Sequence, residues 1–175
     1  GSGYARLALR EYPASLTEKQ ACAAVGQIQL MKLYENFFAE YGHAIGQILM
    51  TKDVIDNPKR FEYARGTFNK LIEMGCVPIV NENDPLSIEE LKFGGNDTLS
   101  AYVGIVCGAD LIINLSDIDG LFDADPKSNP NAKLIDRVDE ITDEVMSFAG
   151  GAGSKLGTGG MAPKLKAARI AADNG

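Results

Sequence analysis

Residues 76–85 read Cys76-Val77-Pro78-Ile79-Val80-Asn81-Glu82-Asn83-Asp84-Pro85. Five apolar residues run without a break and then give way to four polar ones. A strand with one wet face alternates apolar and polar residues. A continuous apolar run of this length instead predicts a strand covered on both faces. Working outward, residues 44–50 (AIGQILM) and 110–115 (DLIINL) have the same character, and 133–138 offers a weaker fourth candidate.

The segments between these runs have helical spacing. Ser15 and Thr17 each stand three residues before Glu18 and Gln20, overlapping capping boxes that start a helix running to Glu40, with Gly42 as its stop. Asn57-Pro58 pairs a cap with a favoured first-turn proline and predicts a helix to about Met74, ended by Gly75. Further helices are expected over 97–107, 142–148 and 161–172. Strands alternating with helices predict an α/β fold with a parallel sheet, in which ligands collect beyond the carboxyl ends of the strands. The chain has no internal repeat and no linker, so one domain is expected over residues 1–175.

Composition narrows the chemistry. The chain has 175 residues, 45% hydrophobic and 23% charged, which is ordinary for a globular domain with a core. A net charge of −7 argues against nucleic acid as a partner, because a phosphate backbone needs a basic stripe. No apolar run is long enough for a membrane span, and no secretory signal pattern is visible. Cys22, Cys76 and Cys107 lie far apart in apolar segments and read as small hydrophobes in a reducing, cytoplasmic protein. His43, the single histidine, falls in a polar turn and reads as a solvated surface residue. Neither a zinc site nor a histidine-based triad can be assembled, and no metal ligands are assigned.

The segments after the strands carry the functional reading. Asn81 to Asp84 read either as a turn or as a pocket in which an amide and a carboxylate hold a polar ligand. Gly94-Gly95-Asn96-Asp97 read either as a helix cap or as a loop where a ligand approaches backbone closely. Ser116 and Asp117, at the end of 110–115, read as an acidic hairpin or as the contact for a nucleotide. Residues 150–160 are glycine-rich and lead into a helix, with Lys164 about one turn in. A glycine-rich loop before a helix N-terminus is an anion cradle, although this one is neither GxxxxGK[ST] nor GxGxxG.

Taken together, the stretches EKQACAAVGQ (18–27), PIVNENDP (78–85), FGGNDTLSA (93–101), ADLIINLSDIDGLFDADP (109–126) and GTGGMAPKLKAA (157–168) resemble the amino-acid kinase family. NEND followed by a GxND loop points to the branch acting on glutamate. The resemblance implies a three-layer αβα sandwich around a central, mostly parallel eight-stranded sheet. It implies ATP-dependent phosphorylation of the side-chain carboxylate of L-glutamate, the first step of proline biosynthesis, with Mg²⁺. By the same resemblance Asp84 and Asn96 hold glutamate, and Asp97 organises the catalytic lysines. Ser116 and Asp117 contact the nucleotide, and Thr158, Gly159, Gly160, Met161, Ala162, Pro163 and Lys164 cover its phosphates. Lys164 also stabilises the transferred phosphoryl group. Implied partners are a second copy of the chain, proline as feedback inhibitor and glutamyl phosphate reductase.

The sequence also departs from the family's pattern. The lysine-bearing first strand has no counterpart, and the chain stops before the last strands. The expectation is a sheet incomplete at both ends in a truncated chain that is inactive alone. Gly95 stands where the family usually has Asp, which removes one carboxylate from the loop. Two alternatives stay open: a related kinase, such as one acting on acetylglutamate, and a non-catalytic ligand-binding module.

Overall fold

The computed structural model describes residues 2–8, 11–149 and 160–174. The chain divides into two compact units, residues 1–93 and 94–175.

The first unit holds α1 (Ser2–Arg6), α2 (Leu16–Ala39), β1 (Ile45–Met50), α3 (Asp53–Asp56), α4 (Pro58–Glu73) and β2 (Val77–Glu82). Helix α2 starts at a complete capping box. Ser15 Oγ accepts the Glu18 N–H at 3.2 Å, and the Glu18 carboxylate accepts the Ser15 N–H at 3.0 Å. These two bonds satisfy donors that the first helical turn otherwise leaves unpaired. Helix α4 is capped by Asn57, whose side-chain oxygen accepts from the Lys59 and Arg60 N–H groups, both at 3.1 Å. Strands β1 and β2 pair in parallel, Ile45 with Val77 through Met50 with Glu82. The crossover between them runs through α3 and α4, as a parallel pair requires.

Neighbouring residues of a strand point to opposite faces. At Gly46 a side chain would meet the methyls of Leu71 in α4, at 3.0 Å. At Gln47 the side chain instead meets Gln27 of α2. Strand β1 therefore has α4 on one face and α2 on the other. This explains why its sequence is an apolar run and not an alternation. Met50 and Phe68 are buried in this unit, whereas Met74 is 72% exposed.

The second unit holds α5 (Asn96–Cys107), α6 (Asp143–Phe148) and α7 (Met161–Ala172). Leu99, Ala101 and Val106 of α5 are buried, as are Leu165 and Ala167 of α7, and these two helices pack together. Gly108 ends α5 in the left-handed conformation, φ +66°, which glycine adopts without the Cβ penalty. Thr142 caps α6 by accepting the Val145 N–H.

Two expected strands are corrected here. Residues 110–115 form no ladder among the described residues, and Leu111, Ile113 and Leu115 are exposed. The segment rests on α5 through Ile112, whose Cδ1 lies 2.7 Å from where a side chain on Gly104 would begin. An apolar run reports a tendency to be buried. A strand also needs a partner for its N–H and C=O groups, and the run does not encode one. Residues 133–138 contribute a single antiparallel bridge, Leu134 with Phe122. The observed architecture is mixed α/β with a parallel pair of strands, and the described residues contain two strands of the expected eight. No helix among the described residues is long and apolar enough to cross a membrane.

Candidate functional site

Each unit presents polar side chains where its elements end. In the second unit, Asp97 and Lys164 meet: Lys164 Nζ donates to Asp97 Oδ1 at 2.9 Å, and both side chains are only 20% exposed. Asp97 lies in the first turn of α5 and Lys164 in the first turn of α7. The pair therefore brings two helix N-termini side by side. Each N-terminus carries unpaired N–H groups and the positive end of a helix dipole. Gly160 is the cap of α7, with an extended backbone and no side chain to occupy those donors. Pro163 sits among the first residues of α7, where a missing N–H costs nothing. A lysine beside two helix N-termini favours an anion over a cation at that place. Asp97 pairs with Lys164 and holds its ammonium at that end of the helices.

The other expected residues of this unit divide. Met161, Ala162 and Pro163 open α7 beside Lys164. Asn96 is exposed at the first position of α5. Ser116 and Asp117 are exposed after the extended segment, and among the described residues no hydrogen bond or ion pair joins them to Lys164 or Asp97. Thr158 and Gly159 lie outside the described residues. Gly95 has φ +133° and Gly94 φ +83°. Side chains rarely adopt the backbone found at Gly95. An aspartate at position 95, which the resemblance leads one to expect, would be strained in the loop as it is turned here.

In the first unit the end of β2 borders a cavity of about 330 Å³. Tyr4, Tyr12, Lys19, Gln27, Asn81 and Asp84 contribute to its wall. One face of α2 supplies Lys19, Cys22, Ala23, Gly26, Gln27 and Leu30, which recur at helical spacing. The cavity thus offers an ammonium, a carboxylate, two amides and two phenols. Pro13, Cys22, Ala23 and Leu30 make the rest of the wall apolar.

Gln27 was given no role by the sequence, and Glu82 was read only as part of the run 81–84. Gln27 accepts from Asn81 Nδ2 at 2.9 Å and donates from Nε2 to Gln47 Oε1 at 3.1 Å. Glu82 Oε1 accepts the Phe93 N–H at 3.0 Å. Burial pushes the Glu82 carboxyl above its ordinary value and the Asp84 charge adds to this, while the Phe93 N–H and Lys92 oppose it. Gln27 lies eight residues after Lys19, on the same helical face; that spacing was the available signal. For Glu82 the signal was its place as the last residue of a buried strand. His43 is exposed in the turn after α2, as expected. Cys22, Cys76 and Cys107 are unpaired and half-buried.

Comparison with known proteins points the same way. The model of the amino acid kinase family matches residues 2–175. A Clostridium acetobutylicum protein named glutamate 5-kinase is 56% identical over 175 residues, covering 100% of this chain and 66% of that protein. A Carboxydothermus hydrogenoformans protein of the same name is 52% identical over 174 residues, covering 99% of this chain and 47% of its own. One from Clostridium perfringens is 50% identical over 179 residues, with 100% and 66% covered. The chain thus spans between about half and two thirds of the length of these relatives.

Proposed function

This chain belongs to the amino acid kinase family, and from that premise we propose that the protein carrying it transfers the terminal phosphoryl group of ATP to the side-chain carboxylate of L-glutamate. This is the activity named in its relatives, glutamate 5-kinase. The products are glutamyl 5-phosphate and ADP, at the first step of proline biosynthesis in the cytoplasm. The observation that carries the reading is the Lys164–Asp97 pair at two adjoining helix N-termini.

The chemistry accounts for the residue types. A carboxylate is already a nucleophile at neutral pH, so the reaction needs no strong general base. The difficulty is bringing one anion up to another. Positioning and charge neutralisation then do most of the catalysis. In this proposal Lys164 and the N–H groups opening α7 meet the transferred phosphoryl group, with residues 158–163 over the phosphates. Asp97 orients the lysine. Ser116 and Asp117 take the nucleotide, and Asp84 and Asn96 are the substrate-binding residues. The described residues hold no cluster of three metal-ligating side chains. Mg²⁺ would supply neutralisation of phosphate charge when bound with the nucleotide.

The proposal extends to the fold. Residues 1–175 form part of one amino-acid kinase domain with a three-layer αβα sandwich. In support, β1 has α4 on one face and α2 on the other. Assembly with a second copy, inhibition by proline and contact with glutamyl phosphate reductase belong to the same proposal.

The test is hydroxylamine trapping of the acyl phosphate with ATP, Mg²⁺ and glutamate, using the protein that carries this chain. Glutamyl hydroxamate is expected. Its absence would sink the assignment, and hydroxamate formed preferentially from acetylglutamate would move the protein to a neighbouring branch. A second reading, a binding module without turnover, draws on the unusual backbone at Gly95. ATP binding without ADP release would favour it.

A further inference from the structure

We propose that Gln27 is a positioning residue of the amino-acid pocket, acting by locking the Asn81 carboxamide with its N–H toward the ligand. The inference rests on the function proposed above.

A side-chain amide can turn over, exchanging its donor for its acceptor, unless its neighbours forbid it. Asn81 is held at both ends. The Glu82 backbone N–H donates to Asn81 Oδ1 at 2.9 Å, and Asn81 Nδ2 donates to Gln27 Oε1 at 2.9 Å. A backbone N–H can only donate, so it decides which end of Asn81 is the oxygen. That choice makes Nδ2 face Gln27, which must answer with its oxygen. Gln27 then has only its nitrogen left for Gln47, and it donates to Gln47 Oε1 at 3.1 Å. One backbone group therefore sets the direction of three amides across α2, β1 and β2.

The Glu82 N–H fixes which end of Asn81 is the oxygen, and Gln27, half-buried where Gln47 is exposed, holds the nitrogen end against rotation of the side chain. Asn81 Nδ2 has two hydrogens and Gln27 claims one. The other remains for an acceptor in the 330 Å³ cavity that Asn81 and Gln27 share with Asp84 and Lys19. A carboxylate is the matching ligand group, because it accepts and cannot donate when ionised. Preorganising that donor lowers the cost of binding the substrate's ground state and leaves the phosphoryl transfer itself alone. The expected signature is an effect on KM for glutamate with little effect on kcat.

The experiment compares Gln27→Met, Asn81→Ala and the double variant with the parent protein. It uses the hydroxamate assay and the side-chain amide signals of Asn81 by NMR. For Gln27→Met we expect KM for glutamate to rise about tenfold, the worth of one good hydrogen bond, with kcat within about twofold. KM for ATP stays put. The double variant is no worse than Asn81→Ala, because Gln27 acts through Asn81. The Asn81 amide signals move and exchange faster in Gln27→Met. An unchanged glutamate KM in an active protein, or single effects that multiply in the double variant, overturns the inference and leaves the proposed function standing. A parent that forms no hydroxamate overturns the function instead. The amide signals then decide the lock, which falls if they are unmoved in Gln27→Met. Should Gln27→Met not fold, Gln27→Ser removes the same contact without added apolar bulk and is read the same way.

Discussion

The Lys164–Asp97 pair joins two helices and, in the proposed function, meets the phosphoryl group, and substitution separates the two parts. Lys164→Met leaves a largely covered carboxylate without its partner, which costs about 1–3 kcal/mol. Adding Asp97→Asn to that variant should recover much of the stability, measured by urea denaturation, and none of the activity. Turnover should fall about 10²- to 10³-fold with Lys164→Met, as for other preorganised groups that meet developing charge. Glu82 gives a second prediction. Its carboxyl is raised by burial, so folding favours the protonated form. That contribution is complete below the unfolded value and is lost as pH rises through the folded value. Glu82→Gln keeps an oxygen for the Phe93 N–H and stays neutral. The variant should be more stable than the parent at pH 7, with the gap closing below about pH 4 in thermal melts.

At the level of elements, what the sequence disclosed depends on how local each signal is. Ser15 and Asn57 cap their helices as expected, because a cap is made within three residues of itself. Asn57→Ala should cost about 1 kcal/mol, read as a shift in denaturant midpoint with an unchanged slope. Strands are different. The runs at 45–50 and 77–82 pair with each other, whereas 110–115, equally apolar, has no partner among the described residues. Nothing in DLIINL distinguishes these outcomes, since the partner lies elsewhere in the chain. The helix pair α5 and α7 was legible as two helices. The ion pair across 67 residues was expected only through the family resemblance, because neither Asp97 nor Lys164 carries a local sign of the other.

Across the whole molecule the dominant long-range fact is charge. The net charge is −7, yet the proposed phosphate site is cationic and confined to two helix ends and one lysine. Under the proposed function, a nucleotide approaching this chain from solution would be repelled first and held only at the helix ends. Moderate salt screens the first effect beyond roughly 10 Å and touches the second less. Nucleotide association should therefore speed up about two- to threefold between low and physiological salt, the reverse of a basic nucleotide-binding protein. Stopped-flow fluorescence would record it. Met50 and Met74 add a different consequence. One side chain is sealed at the end of β1 and the other stands in water. Mild peroxide converts exposed thioethers to sulfoxides and spares covered ones. The chain thus carries its own dosimeter: Met74 registers the oxidant dose, and a sulfoxide at Met50 timestamps each opening of the end of β1.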